Sequence, residues 1–229
     1  MILAAGLGLR MRPLTEARPK PLLEVGGRPL IDHALDRLEA AGVRRVVVNL
    51  HWKGDMLRAH LAGRRAPAIA FSDESDALLD TGGGVARALP LLGPSPFYVV
   101  NGDAFWLNGA QDALQRLAAR FGEAGADALL LLHPTVRAIG YSGAGDYHMT
   151  ADGRLRRRRE KEVAPFVFTG VQILSPALLR EAPAGAFSLN RLYDRAQAAE
   201  RLAGLRHDGE WMSLNEPEAL AAAEEALAA

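Results

Sequence analysis

Between residues 1 and 133 the sequence alternates between short apolar runs and longer stretches with apolar residues at helical spacing, and this alternation admits few architectures. The apolar runs are ILAA (2–5), RRVVVNL (44–50), AIAFSD (68–73), PFYVVNGD (96–103) and ADALLLLHP (126–134). Val46 to Val48 is apolar without a break, as expected of a strand covered on both faces. The intervening stretches read as helices. RPLIDHALDRLEAAGV (28–43) carries Leu30, Ala34, Leu38 and Ala41 at helical spacing, with Pro29 suited to a first turn and Gly42 to a C-terminal cap. KGDMLRAHLAG (53–63), GGGVARALPLL (82–92) and AQDALQRLAARF (110–121) follow the same logic. Strand and helix in alternation imply right-handed βαβ units, and hence an α/β fold with a Rossmann-like, mixed but mostly parallel sheet flanked by helices. Ligands of such sheets bind beyond the carboxyl ends of the strands. The polar clusters Gly6–Lys20, Asp80–Gly84 and Asn101–Asp103 all follow strands and are expected at one rim.

From about residue 140 the texture changes. GAGDYHMTADGRLRRR (143–158) reads as a hairpin turning at Asp152-Gly153, and PFVFTGVQILS (165–175) as a further strand. SPALLREA (175–182), SLNRLYDRAQAAE (188–200) and EPEALAAAEEALAA (216–229) read as helices. No linker or internal repeat divides the chain, and 229 residues suit one domain.

Composition narrows the function. Lys and Arg together number 27, as do Asp and Glu, and this neutrality argues against broad nucleic-acid binding. There is no cysteine, which excludes disulfides, thiolate metal sites and a Cys nucleophile. No apolar run approaches the ~20 residues of a membrane span. The short apolar start, broken at once by glycine and arginine, does not look like a signal peptide. The expectation is a cytoplasmic protein with no membrane partner. The 6 histidines show no metal-ligand spacing, and Arg156–Arg159 reads as a solvated hairpin face.

The opening AAGLGLRMRPLTEARPK (4–20) joins a glycine turn to Arg10, Arg12 and Lys20. Glycine after a strand lets backbone N–H groups approach a phosphate, and cations neutralise charge that develops in phosphoryl chemistry. A dinucleotide turn would need a third glycine where Met11 stands, and a P-loop would need Gly-Lys-Ser/Thr, which is absent. Two readings remain: a basic loop, held extended by Pro13, Pro19 and Pro21, that wraps a triphosphate, or an ordinary solvated loop.

LAAGLGLRMRPLTEARPKPLLEVGGRPLIDHAL (3–35) resembles the signature of the sugar-1-phosphate nucleotidyltransferases. LLDTGGGVARALPLL (78–92) resembles that family's base-recognition segment, VVNGD (99–103) its metal-binding strand end, and FVFTGVQILSP (166–176) the strand under its sugar pocket. The short chain and the TGGG segment most resemble the N-acetylmuramate-1-phosphate uridylyltransferases within it. The resemblance implies one domain over 1–229, with a nucleotide-binding half (1–133) and a sugar-binding half (134–229) that closes over the rim. It implies an NTP, UTP above all, and a sugar 1-phosphate as substrates, Mg²⁺ as cofactor, and a monomer or small homo-oligomer. A sugar-phosphate oxygen attacks the α-phosphorus in line and pyrophosphate leaves. Guanylyl or thymidylyl transfer to a hexose 1-phosphate, or nucleotide binding with impaired catalysis, are the alternatives.

Carried over residue by residue, the resemblance assigns the nucleotide to Ala4, Ala5, Gly6, Gly8, Lys20, Asp80, Thr81, Gly82, Gly83 and Asn101. Asp80 or Thr81 is also a candidate helix N-cap. Arg10 would take the β- and γ-phosphates, Lys20 the α-phosphate and Asp103 the metal, with all three catalytic, while Arg12 and Arg18 support or face solvent. The sugar falls to Asp146, Lys161, Thr169 and Gly170. Two positions depart from the family pattern. Leu9 replaces a usual threonine, where a backbone N–H still serves. Ser213, in Trp211-Met212-Ser213, stands where a second metal carboxylate is usual. Either Asp103, phosphates and water hold the metal, or Asp208, Glu210 or Glu216 supplies an oxygen, or turnover is impaired.

Overall fold

The alternation folds, in a computed structural model that describes residues 1–228, into a nine-stranded sheet with helices on both faces. The chain runs β1 (Ile2–Leu3), α1 (Leu14–Ala17), the ribbon β2 (Glu24–Val25) and β3 (Arg28–Pro29), α2 (Leu30–Ala40), β4 (Arg45–Leu50), α3 (Gly54–Leu61) and β5 (Ala68–Asp73). It continues through α4 (Asp80–Leu92), β6 (Phe97–Asn101), β7 (Phe105–Leu107), α5 (Ala113–Ala124) and β8 (Ala128–Pro134). The second half comprises β9 (Tyr147–Met149), β10 (Leu155–Arg157), β11 (Phe166–Leu174), α6 (Asn190–Ala198), β12 (Leu202–Arg206), β13 (Glu210–Met212) and α7 (Glu218–Ala228). Ala229, the last residue of the expected C-terminal helix, lies outside the described residues.

Strands β5, β4, β1 and β6 lie side by side, all parallel, so strand order reverses at β1. Val46, Val47 and Val48 are at most 1% exposed, as a doubly covered parallel strand requires. One core joins Ile2, Val46 and Val48 to α2, α3 and α5, and a second joins Val47 and Val99 to α4 and α6 across the sheet. A third, smaller core joins the two ends of the chain around Phe105 of β7: Met11, Leu23, Val25 and Leu30 from one, Met212, Leu214 and Ala219 from the other. It pins the segment after β13 against the opening loop.

The structure corrects three expectations. The opening loop is not extended: helical turns at Leu9–Met11, α1 and Lys20–Leu22 fold it back. The φ that proline fixes suits the start of a turn as well as an extended segment. Gly8 O accepts from Met11 N at 3.0 Å and from Thr15 Oγ1 at 2.8 Å, which closes the bend. The fifth strand, β8, does not extend the parallel set. β11 is inserted antiparallel between β6 and β8, and its register shifts between Phe168 and Gln172. SPALLREA forms only a short helical turn at Pro176–Leu179. Strands β2, β3, β7, β12 and β13 had no sequence expectation. Among the described residues, no helix is long and apolar enough to cross a membrane.

Two histidines are enclosed beside β13. His133 on β8 and His207 after β12 have ring centroids 6.0 Å apart, and each is about 1% exposed. Burial lowers the pKa of both below 6.5, against the pull of nearby backbone carbonyls. Folding therefore favours the neutral rings. Their contribution to stability is complete above the unfolded pKa near 6.5 and is lost as pH falls through the lower folded values. The urea midpoint is expected to fall between pH 7 and pH 5, and the doubly substituted His133→Gln/His207→Gln chain to show a flatter profile; matched urea melts across that range check it.

Candidate functional site

The reversal of strand order at β1 opens a crevice beyond the carboxyl ends of β1 and β6. Gly102 lets the two strand ends meet. Its N–H donates to Leu3 O at 2.8 Å, and a Cβ there would lie 2.8 Å from that oxygen and 2.9 Å from Pro21 Cγ. A cavity of about 690 Å³ lies above. Ala4, Ala5, Gly6, Gly8, Arg10, Lys20, Asp80, Thr81, Asn101 and Asp103 all line it, so the expected rim is assembled from all three polar clusters.

The lining is built to receive negative charge. Among the described residues, the N–H groups of Gly6, Leu7 and Gly8 donate to no protein acceptor. Lys20 Nζ donates to Asp103 Oδ2 at 2.5 Å, with side chains 11% and 33% exposed respectively. Arg18 instead pairs at the surface with Glu24. The neutral chain thus carries a local pair of cations, Arg10 and Lys20, beside open amide donors.

Three residues of the site had no assignment from the sequence. Asn49, at the end of β4, accepts from Ala4 N at 2.7 Å and donates to Glu74 Oε1 at 2.6 Å. Glu74 is fully buried and its other oxygen accepts from Leu79 N at 3.3 Å. This chain of bonds ties the loop after β1 to the loop before α4. A polar residue ending an apolar strand was a usable signal for Asn49, as it was for Asn101. The third residue, Asn215, reaches the site from the far end of the chain. Its Oδ1 accepts from Arg10 at 3.0 Å and from Lys20 at 3.2 Å, and its Nδ2 donates to Ser213 Oγ at 2.9 Å.

Other assigned residues lie elsewhere. Gly82 and Gly83 do not line the cavity: both N–H groups donate to Phe187 O, at 2.8 and 3.1 Å. A Cβ on Gly82 would lie 2.3 Å from the Phe187 ring, so this glycine serves close packing. Asp80 and Thr81 do not cap α4. The Asp80 carboxylate accepts from the adjacent Thr81 N, the Thr81 hydroxyl accepts from Leu189 N, and the Phe187 carbonyl satisfies the helix start. Thr169 is buried and its hydroxyl donates to Leu131 O. Gly170 abuts the Asn101 side chain from behind the cavity. Asp146 Oδ2 accepts from Phe168 N at 2.8 Å, and burial raises its pKa against that bond and the nearby Arg158 and Arg157. Lys161 is exposed at a turn with φ 67°. None of these four lines the cavity, whose lining residues all lie between Leu3 and Asp103. Asp208 and Glu210 are paired with Arg116 and Arg137, and Glu216 is exposed.

Residues 1–222 match the MobA-like NTP transferase domain. The chain is 45% identical over 232 residues to a Caulobacter vibrioides protein named N-acetylmuramate alpha-1-phosphate uridylyltransferase, covering 100% of this chain and 96% of that one. It is 36% identical to a Neisseria meningitidis protein of the same name, covering 97% and 98%. Among solved structures, a UDP-glucose pyrophosphorylase complexed with UDP-glucose superposes with a TM-score of 0.79 at 16% identity, covering 99% of this chain and 97% of that one. HddC from Yersinia pseudotuberculosis, complexed with GMP-PN, gives 0.75 at 20% identity, covering 99% and 97%. These two likenesses confirm the fold.

The bond chain through Glu74 leads to a testable outcome. Glu74→Gln keeps the shape but offers one acceptor where Asn49 and Leu79 present two donors. One buried donor is left unpaired, at a cost of about 1–3 kcal/mol. Urea denaturation is expected to show that loss, whereas the exposed Asp76→Asn should change stability by about 0.5 kcal/mol or less.

Proposed function

The chain belongs to the MobA-like NTP transferase family, and from that premise we propose that it transfers a uridylyl group from UTP to N-acetylmuramate 1-phosphate, giving UDP-N-acetylmuramate and pyrophosphate. The names of the Caulobacter and Neisseria relatives, which match over nearly their whole length, support this substrate pair. The observation that carries it in this chain is the convergence of unpaired Gly6–Gly8 amides, two cations and Asp103 in one cavity at the strand-order reversal. In this reading 1–229 acts as one domain in the cytoplasm, for cell-wall sugar recycling.

The residues divide the reaction as follows. The amides of Gly6 and Gly8 and the Arg10 guanidinium take the β- and γ-phosphates, and so stabilise the charge that grows on departing pyrophosphate. Lys20 offers a point charge to a non-bridging oxygen of the α-phosphate. Asp80, Thr81 and Asn101 bound the end of the cavity that takes the nucleoside. The sugar-phosphate oxygen attacks phosphorus in line, and no enzyme nucleophile is required. Catalysis rests on positioning and charge neutralisation. Asp146, Lys161, Thr169 and Gly170 are the candidates for the sugar, approached from the Asn101 side, with the Thr169 hydroxyl engaged by Leu131 O.

The donor set tests the fit of Mg²⁺. Among the described residues, no group of three His, Asp or Glu side chains gathers to hold a metal. Asp103 presents a part-exposed carboxylate at the cavity wall, and Ser213 adds no carboxylate. That set suits a hard cation held by one carboxylate, substrate phosphates and water, a common arrangement for Mg²⁺. Bound with the triphosphate, the ion would supply further neutralisation of phosphoryl charge.

A pyrophosphate-release assay over four NTPs and a panel of sugar 1-phosphates decides the reading. UTP with N-acetylmuramate 1-phosphate is expected to turn over fastest, and EDTA to stop it. Lys20→Met and Asp103→Asn are each expected to lower kcat/KM by about 10²-fold or more, with the fold retained by circular dichroism. Absence of pyrophosphate with every pair defeats the proposal.

A further inference from the structure

Asn215 is joined to Arg10 and Lys20 across 205 and 195 residues of sequence. A single amide oxygen receives both cations, and the same lysine also touches Asp103. The amide is oriented from behind, because its Nδ2 donates to Ser213 Oγ and Ser213 is 4% exposed. Ser213 in turn is fixed by its own N–H, which donates to Ile139 O at 2.9 Å. The flanking Met212 and Leu214 are buried in the core that also holds Met11, next to Arg10. The tail is therefore a packed, hydrogen-bonded support ending in one neutral acceptor.

We propose that Asn215 is a positioning residue that gathers the two phosphate-binding cations without neutralising them, and that its neutrality sets the affinity of the site for a triphosphate. This deepens the nucleotidyltransferase reading and rests on it for the identity of the ligand. Two like charges repel, so without a shared acceptor Arg10 swings away from Lys20, which Asp103 holds in the cavity. A carboxylate would gather them too, but as an ion pair on each. Arg10, Lys20 and Asp103 together leave one net positive charge; an aspartate at 215 would bring the cluster to zero. A polyanionic ligand would then compete with a fixed anion for the same two cations. An amide oxygen accepts both bonds and leaves the positive charge for the ligand. The Ser213 hydroxyl anchors the amide by accepting from Nδ2, and the two cations, which can only donate, hold the oxygen toward themselves.

The test measures binding of inorganic tripolyphosphate and of UTP to the full chain by calorimetry in EDTA, so that no divalent cation contributes. Asn215→Asp is expected to weaken tripolyphosphate binding about tenfold at low salt, with the deficit shrinking toward parity as ionic strength rises. Thermal stability should be equal to or above that of the unaltered chain. Asn215→Ala is expected to weaken binding about threefold with a deficit that salt does not erase, and Ser213→Ala to act in the same direction but less. Equal tripolyphosphate affinity in Asn215→Asp and the unaltered chain overturns the inference, as does a deficit for Asn215→Asp that is independent of salt. Failure of the nucleotide reading has a different signature: the unaltered chain would bind tripolyphosphate, and lose it in Asn215→Asp, yet bind UTP no better than the inorganic anion.

Discussion

Everything about the site depends on the reversal of strand order at β1. Strands β4 and β5 extend the sheet on one side of it and β6 on the other, and the gap at this switch point lies beyond the carboxyl ends of β1 and β6. The gap is narrow at its base because Gly102 carries no side chain to hold Leu3 and Pro21 apart. It is polar at its rim because Asn101 ends β6 and Asn49 is the last residue but one of β4, and because the glycine loop after β1 leaves its amides unpaired.

That rim needs cations, and an ammonium as sheltered as that of Lys20 needs a partner. Asp103 provides it. The pairing keeps the lysine in the cavity, and the carboxylate stays part-exposed to ligand or metal. A neutral chain can therefore hold two cations together at the site while the remaining surface carries ion pairs of both signs, such as Arg157 with Asp194 and Arg201 with Asp127. Surface pairs of that kind contribute little to stability. The apolar cores hold the fold, and the charges define the site.

The smallest of those cores has a consequence beyond stability. Met11, Leu23 and Val25 from the first residues pack with Met212, Leu214 and Ala219 from the last, and this brings Ser213 and Asn215 beside Arg10 and Lys20. Glu224 on α7 adds a bond to Gly26 N at 2.7 Å. The second half of the chain thus reaches the cavity by its tail, while Asp146 and Lys161, on and after the hairpin, remain outside the lining.

The sequence by itself determined the parallel part of the sheet, the helices α2 to α5 and the meeting of three polar clusters at one rim. Those features have local signatures: apolar runs of strand length, apolar residues at helical spacing, and polar residues immediately after a strand. The tertiary structure alone decided the antiparallel insertion of β11 between β6 and β8, the pairing of β12 with β8, and the use of the Gly82 and Gly83 amides to bind Phe187 rather than a ligand. It also decided that Asn215 belongs to the site. Such pairings join residues from tens to about two hundred positions apart, and nothing in the neighbourhood of either partner changes period or composition to announce them. A hydrogen bond between distant residues is fixed by packing, here by the small core that binds the two ends of the chain together.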